Sequence, residues 1–340
     1  MNTNNTNERI IQSVIDTIKS DYPNDIALLL IYGSYVNGTA NALSDVDFYF
    51  IPKTDCGYKM SKTFILNGIG YDLFPMSWER VEGIAYFKEP LTPLVGNVRI
   101  AYYNSEQDLQ RFLQIQKTLV GNLSDFSFMH AAASKALDQA LNKYSKLLAQ
   151  DNLKMLRTLS GEILLGLSDS VAYMNQTYFT KGLKLQLQDL EHMALLPTDF
   201  VKVYKQVVYA MAKDDIINSC HDMIKVTSIL LQSLEAGEAG PEAIDWDALK
   251  SAYEEGLSTW NKIKVCCEQN NVELAFISGV NLQGVLDWLS KDFCTPEYDL
   301  MSAFSAEALE AFASRAEEIR LALVEHLNSN GVIIAELGSI

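Results

Sequence analysis

The sequence is poor in the residues that staple or metallate small folds. Its cysteines, Cys56, Cys220, Cys266, Cys267 and Cys294, are odd in number and show no paired two-residue spacing, which excludes a disulfide framework and a paired-thiol zinc site. The four histidines, His130, His192, His221 and His326, have no helical metal-ligand spacing. Cys220 and His221 are adjacent, and neighbours on a helix point in different directions. Long apolar runs are missing as well: Ile26 to Tyr32 is far short of the roughly 20 residues needed to cross a bilayer. The first residues, MNTNNTNERI, hold no basic cluster followed by an apolar stretch, so the expectation is a cytoplasmic protein without an export signal. Basic residues are scarce, 27 against 43 acidic ones, for a net charge of −16. Nucleic-acid backbones are held by clustered lysine and arginine, so a nucleic-acid partner is disfavoured. The same acidity would attract a cationic small molecule. No repeat of fixed period is visible.

What is present is a soluble-type composition, 48% apolar over 340 residues, enough for two domains with cores of their own. The chain is organised around Ile26 to Phe50, IALLLIYGSYVNGTANALSDVDFYF. An apolar run ends in Gly33 and Ser34, a turn-rich segment follows, and Asp45 and Asp47 lead a second apolar run. The pattern predicts strand, turn with a short helix, strand. Acids one residue apart on a strand share a face, their α-carbons roughly 6.6 Å apart. A turn with exposed amides at a helix start can hold phosphate, and paired carboxylates can hold magnesium on the phosphates of a nucleotide.

The run Gly33-Ser34-Tyr35-Val36-Asn37-Gly38-Thr39-Ala40, followed by Ser44-Asp45-Val46-Asp47, resembles the signature of the nucleotidyltransferase superfamily of DNA polymerase beta type. It is most similar to the minimal and antibiotic-modifying branch, which includes kanamycin, streptomycin and lincosamide nucleotidyltransferases. The resemblance implies that Gly33 and Ser34 hold a triphosphate and that Asp45 and Asp47 bind magnesium, two ions in all. Many relatives have a basic residue after the Gly-Ser pair; here Tyr35 stands there.

Further along, Ile10, Ile11, Val14, Ile15 and Ile18 make an apolar stripe on a first helix within Glu8 to Ser20. Asn67-Gly68 between two apolar runs predicts a hairpin. Its second arm carries Asp72 in mid-strand, where an unpaired carboxylate needs a cation or hydrogen-bond donors. By the resemblance, Asp72 matches a third aspartate that completes the metal site and can act as base. Ser77 predicts a helix N-cap, and Asn97 to Tyr103 a last strand. From Gln107 onward the apolar spacing is helical throughout: Asp108–Leu119, Asp125–Ala149, Leu153–Met174, Leu183–Leu195, Thr198–Tyr209, Asp214–Leu234, Trp246–Glu268, Gly279–Leu289 and Ser305–Leu327. Glu235 to Pro241 predicts a loop dividing this part. The stretch from Asn175 to Lys184 is similar to one in antibiotic nucleotidyltransferases, which implies that Lys184, with Lys181 as the second choice, reaches the triphosphate. Some members of the family it resembles use a helical-domain glutamate as general base on the acceptor hydroxyl, and by that resemblance Glu162, beside the apolar stripe of the preceding helix, is the candidate.

The expected architecture is α+β: a nucleotidyltransferase-type domain with a small mixed sheet over residues 1–105, and a helical substrate-binding bundle over 106–340, subdivided near 235–241. The expected activity is magnesium-dependent transfer of a nucleoside monophosphate, AMP first among them, from a triphosphate to a hydroxyl of a small molecule such as an aminoglycoside. Two alternatives stay open: nucleotidylylation of a protein, and nucleotide binding without turnover. The family includes homodimers with a shared cleft, so a dimer is compatible with the sequence.

Overall fold

The run Ile26–Tyr32 is apolar almost to its end because both of its faces are covered. In the computed structural model, which describes residues 3–41, 44–238 and 244–334, this run is β1. Leu28 and Leu30 enter one core while Leu29 and Ile31 enter another. β2 (Asp47–Pro52) divides in the same way, Tyr49 and Ile51 to the first core, Phe48 and Phe50 to the second. This is the two-residue alternation of a strand buried on both sides. With β3 (Lys62–Leu66), β4 (Ile69–Pro75) and β5 (Arg99–Tyr103) these form a five-stranded sheet in the order β3-β4-β2-β1-β5. β2 and β4 are parallel and the three other neighbouring pairs antiparallel. The hairpin between β3 and β4 turns on Asn67 and Gly68, with φ of 54° and 79°, as a two-residue turn of the I′ kind requires.

One face of the sheet is covered by α1 (Thr3–Asp21), through Ile10, Ile11 and Ile18. The other meets α2 (Trp78–Ala85), the short α3 (Pro93–Gly96) and a bundle made of α4 (Glu106–Ser124), α5 (Phe126–Leu148), α6 (Leu153–Met174), α7 (Gln186–Glu191), α8 (Phe200–Tyr209) and α9 (Lys213–Glu238). Four of these helices start on a side-chain cap: Ser77, Ser105, Asp125 and Asn152 accept backbone N–H groups in the first turns of α2, α4, α5 and α6. Such caps each contribute about 1 kcal/mol. α5 and α6 are joined by a buried bond in which the Ser170 hydroxyl donates to the Ala133 carbonyl at 2.9 Å. A single apolar core runs from Ala27 in β1 to Leu231 in α9.

Contacts divide the chain after residue 236. The second unit consists of α10 (Trp246–Glu268), α11 (Val272–Phe293) and α12 (Leu309–Ser329), with cores built on Trp260, Ile263, Leu282 and Phe312, and on Leu249, Leu289 and Leu323. The architecture is α+β with a mixed sheet.

Several boundaries differ from those read in the sequence. The helix expected over Leu183–Leu195 is one short α7, and α9 runs on to Glu238; the rest of the expected loop, 239–241, lies outside the described residues. α11 begins seven residues before Gly279. That glycine is a point of close approach and not a helix start: a Cβ there would stand 2.6 Å from Cζ of Phe312. Among the described residues, no helix is long and apolar enough to cross a membrane.

Candidate active site

The register of the sheet brings Tyr32, Asp47 and Asp72 into one row. β1 pairs Tyr32 with Asp47. β2 and β4 pair Phe48 with Leu73 and Tyr49 with Phe74, so one step earlier Asp72 stands beside Asp47. Aligned residues share a face, and so do residues two apart. Tyr32, Asp47 and Asp72 therefore lie on the side that also carries Tyr49 and Phe74, whose rings stack at 6.0 Å. Asp45 departs from expectation: it precedes β2 in an irregular segment and does not lie on the strand.

Gly33 begins a single 3-10 turn, Gly33–Tyr35, directly after β1. Its φ of +74° suits glycine, and a Cβ there would meet Oδ2 of Asp47 at 2.0 Å. The Ser34 backbone N–H donates to the Asp47 carboxylate. A single turn carries little helix dipole, so this loop acts through individual N–H groups and close packing. Burial raises the Asp47 carboxyl to about 6, the Asp45 charge adds to that rise, and the Ser34 bond opposes it. Burial, and then Asp47, Asp45 and Asp72, hold the Tyr32 phenol protonated well above its usual range.

The magnesium implied by the resemblance can be matched to these side chains. Asp45 and Asp47 sit near enough for one charge to act on the other, and two carboxylates with phosphate oxygens are a common magnesium set; the pair fits it. A three-acid set is not assembled. Among the described residues no three His, Cys, Asp or Glu side chains are grouped to hold a metal. Oδ1 of the exposed Asp72 accepts the Thr63 hydroxyl at 3.1 Å, on the β3 side of β4 and away from Asp47.

Tyr32, at the β1 end of this row, lines a cavity of about 620 Å³; Asp45, Asp47 and Asp72 are not among its lining residues. Tyr32, Gly33, Ser34 and Phe74 form its sheet end. Leu165, Asp169 and Tyr173, each one turn apart on α6, form a helical wall, and Tyr178 to Leu183 close a third side. Two bonds fix that third side: the Asn37 amide donates to the Thr180 carbonyl at 2.6 Å, and the Tyr178 hydroxyl to Oδ1 of Asn97 at 2.8 Å. Of the two lysines, Lys181 lines the cavity, with Nζ 3.9 Å from Oδ1 of Asp189, whereas Lys184 is exposed and outside the lining. Arg80 also lines it and makes a two-pronged bond to Glu89, 2.9 Å on each arm.

Glu162 is exposed on α6, 3.3 Å from Nζ of Lys143, and does not line the cavity. The acid of α6 that does is Asp169, seven residues on. It is half-buried, and burial raises its carboxyl to about 7, with Lys143 acting the other way. Sequence reasoning passed over it, although the signal used for Asp72, one acid inside an apolar stretch, is present between Leu167 and Met174. Tyr35 points away from the cavity: its hydroxyl donates to Glu8, Arg99 donates to the same carboxylate at 3.0 Å, and the guanidinium lies 5.5 Å from the Tyr35 ring centre.

No protein-family model matches the chain, and no curated protein does. Among solved structures it is similar to a nucleotidyltransferase-like protein from Exiguobacterium sibiricum 255-15, at 12% identity and a TM-score of 0.35, over 94% of this chain and 92% of that one.

Proposed function

We propose that this cleft carries out nucleotidyl transfer: a nucleoside triphosphate, ATP first among them, gives its monophosphate to a hydroxyl of a small molecule and releases pyrophosphate. The observation that carries this reading is the packing of the Gly33–Ser34 turn on Asp47 at the mouth of a cavity sized for a small ligand. Asp45 and Asp47 would hold magnesium together with triphosphate oxygens, and the ion would neutralise charge on the reacting phosphates. The chain's own residues supply position, which is most of what phosphoryl chemistry asks of a protein. Gly33 keeps the turn against the carboxylate. Tyr32 keeps an O–H donor beside the acids. Lys181 and Arg80 line the cavity and can exchange their present acid partners for phosphate oxygens.

The test is pyrophosphate release from each triphosphate with magnesium, against aminoglycosides and lincosamides. Asp47→Ala is expected to lower turnover about 100-fold or more with an unchanged circular dichroism spectrum. Turnover that survives the substitution removes Asp47 from the reaction.

One observation favours a second reading. Tyr35 is tied to Glu8 where a basic residue would be expected, and both cations of the cavity are already paired. A nucleotide-binding protein without turnover fits this, and calorimetry showing tight nucleotide binding with no pyrophosphate would select it.

A further inference from the structure

Asp169 is a half-buried carboxyl group on the wall of the cavity. Among the described residues it makes no hydrogen bond and no ion pair, and Lys143 acts on it only through space while paired with Glu162. The cavity lining includes Leu165 one turn before it, Tyr173 one turn after, and Phe179 and Leu183; the two cations of the lining, Lys181 and Arg80, are paired with Asp189 and Glu89. Thr92 lines the same cavity, 1% exposed, and its hydroxyl has no partner either. A carboxylate kept in such surroundings is costly unless a ligand brings the missing charge. A cation there would also face aromatic rings.

Resting on the nucleotidyl-transfer reading, we propose that the acceptor is a small molecule with one protonated amine on an apolar body, and that Asp169 is the group that selects it. A polycation of the aminoglycoside kind fits less well. The helical wall offers one carboxylate, so each further ammonium would be stripped of water with nothing to replace it. Asp169 is here a specificity residue: it holds the acceptor's amine, and the hydroxyl to be modified faces the sheet end.

The experiment uses the full chain without nucleotide. Calorimetry at pH 8 compares 4-phenylpiperidine, a cation at that pH, with 4-phenyltetrahydropyran, its neutral isostere. The native protein is expected to bind the amine at least tenfold more tightly. Asp169→Asn should abolish that preference and leave the ether's affinity within twofold, while Asp169→Glu, which keeps the charge, should retain part of it. Equal affinity of the native protein for both probes, no binding of either, or a preference that persists in Asp169→Asn overturns the inference. Turnover is not measured here, so a protein that selects the amine but releases no pyrophosphate loses the transfer reading and keeps this one. An enzyme that modifies neutral acceptors as readily as amines does the reverse.

Discussion

Gly33 and Asp47 are packed so closely that a methyl group on the first would stand 2.0 Å from Oδ2 of the second. Gly33→Ala must therefore meet two penalties, a left-handed backbone and a collision with a side chain carried by a buried strand. We expect a loss of about 2–4 kcal/mol, read by urea denaturation, together with loss of nucleotide binding. A stability change under about 0.5 kcal/mol, the range of ordinary surface substitutions, would mean that the turn relaxes away from the carboxylate.

Asp169 gives a pH signature. Its folded carboxyl is raised to about 7 from an ordinary value near 3.8, so the native state binds the proton more tightly than the unfolded chain. Its protonated form is compatible with folding below pH 4, and stability falls as pH rises between about 4 and 7. Asp169→Asn removes that penalty. The variant should be more stable than the native protein by about 1–3 kcal/mol at pH 8, with little difference at pH 4. Denaturation curves at the two pH values check this; a variant less stable at pH 8 refutes it.

Glu8 has the opposite sign. Bonds from Tyr35 and Arg99 hold its carboxyl below the usual range, so the stability it contributes is present above the unfolded value and lost as pH falls through the folded one. The group is exposed, and Glu8→Gln should cost about 0.5–1 kcal/mol at pH 7 and almost nothing at pH 3. A cost that does not shrink on acidification would show that packing, and not charge, holds this corner.

Ligand linkage gives a fourth check. A triphosphate with magnesium at 100 times its dissociation constant should stabilise the native protein by about 2.7 kcal/mol. Chelation of the metal, or Asp47→Asn, should remove most of that gain in a thermal-shift measurement. Full stabilisation in the presence of a chelator would rule out a carboxylate-held metal.

How far the sequence foretold this arrangement depends on the range of the signal. The apolar run of β1, the Asn67-Gly68 turn and the Ser77 cap before α2 are local, and the structure has strand, hairpin and helix at those places. Gly33, Asp45 and Asp47 were legible as neighbours because one strand pair and the turn between its strands bring them near, but among the described residues no third acid is grouped with them. The orientation of Asp72 was not legible, since Thr63 draws it towards the other neighbour of β4. Glu162 and Asp169 lie on the same helix about 10.5 Å apart along its axis; which of them meets the cleft is decided by the packing of α6 against α5 and by Lys143, both long-range. Lys181 and Lys184 are separated by Gly182 at φ 68°. A left-handed residue between them reorients the chain, and spacing alone cannot say which amine faces inward.

The core that starts at Ala27 and ends at Leu231 bears on how such a chain could be shortened or recombined. Ending it after Tyr103 would leave Leu28, Leu30, Tyr49 and Val81 bare to water, an adhesive surface that seeks other molecules. The sheet cannot be inherited as a detachable cassette: a lineage that acquires a different bundle must also rework the underside of the strands on which the acids stand.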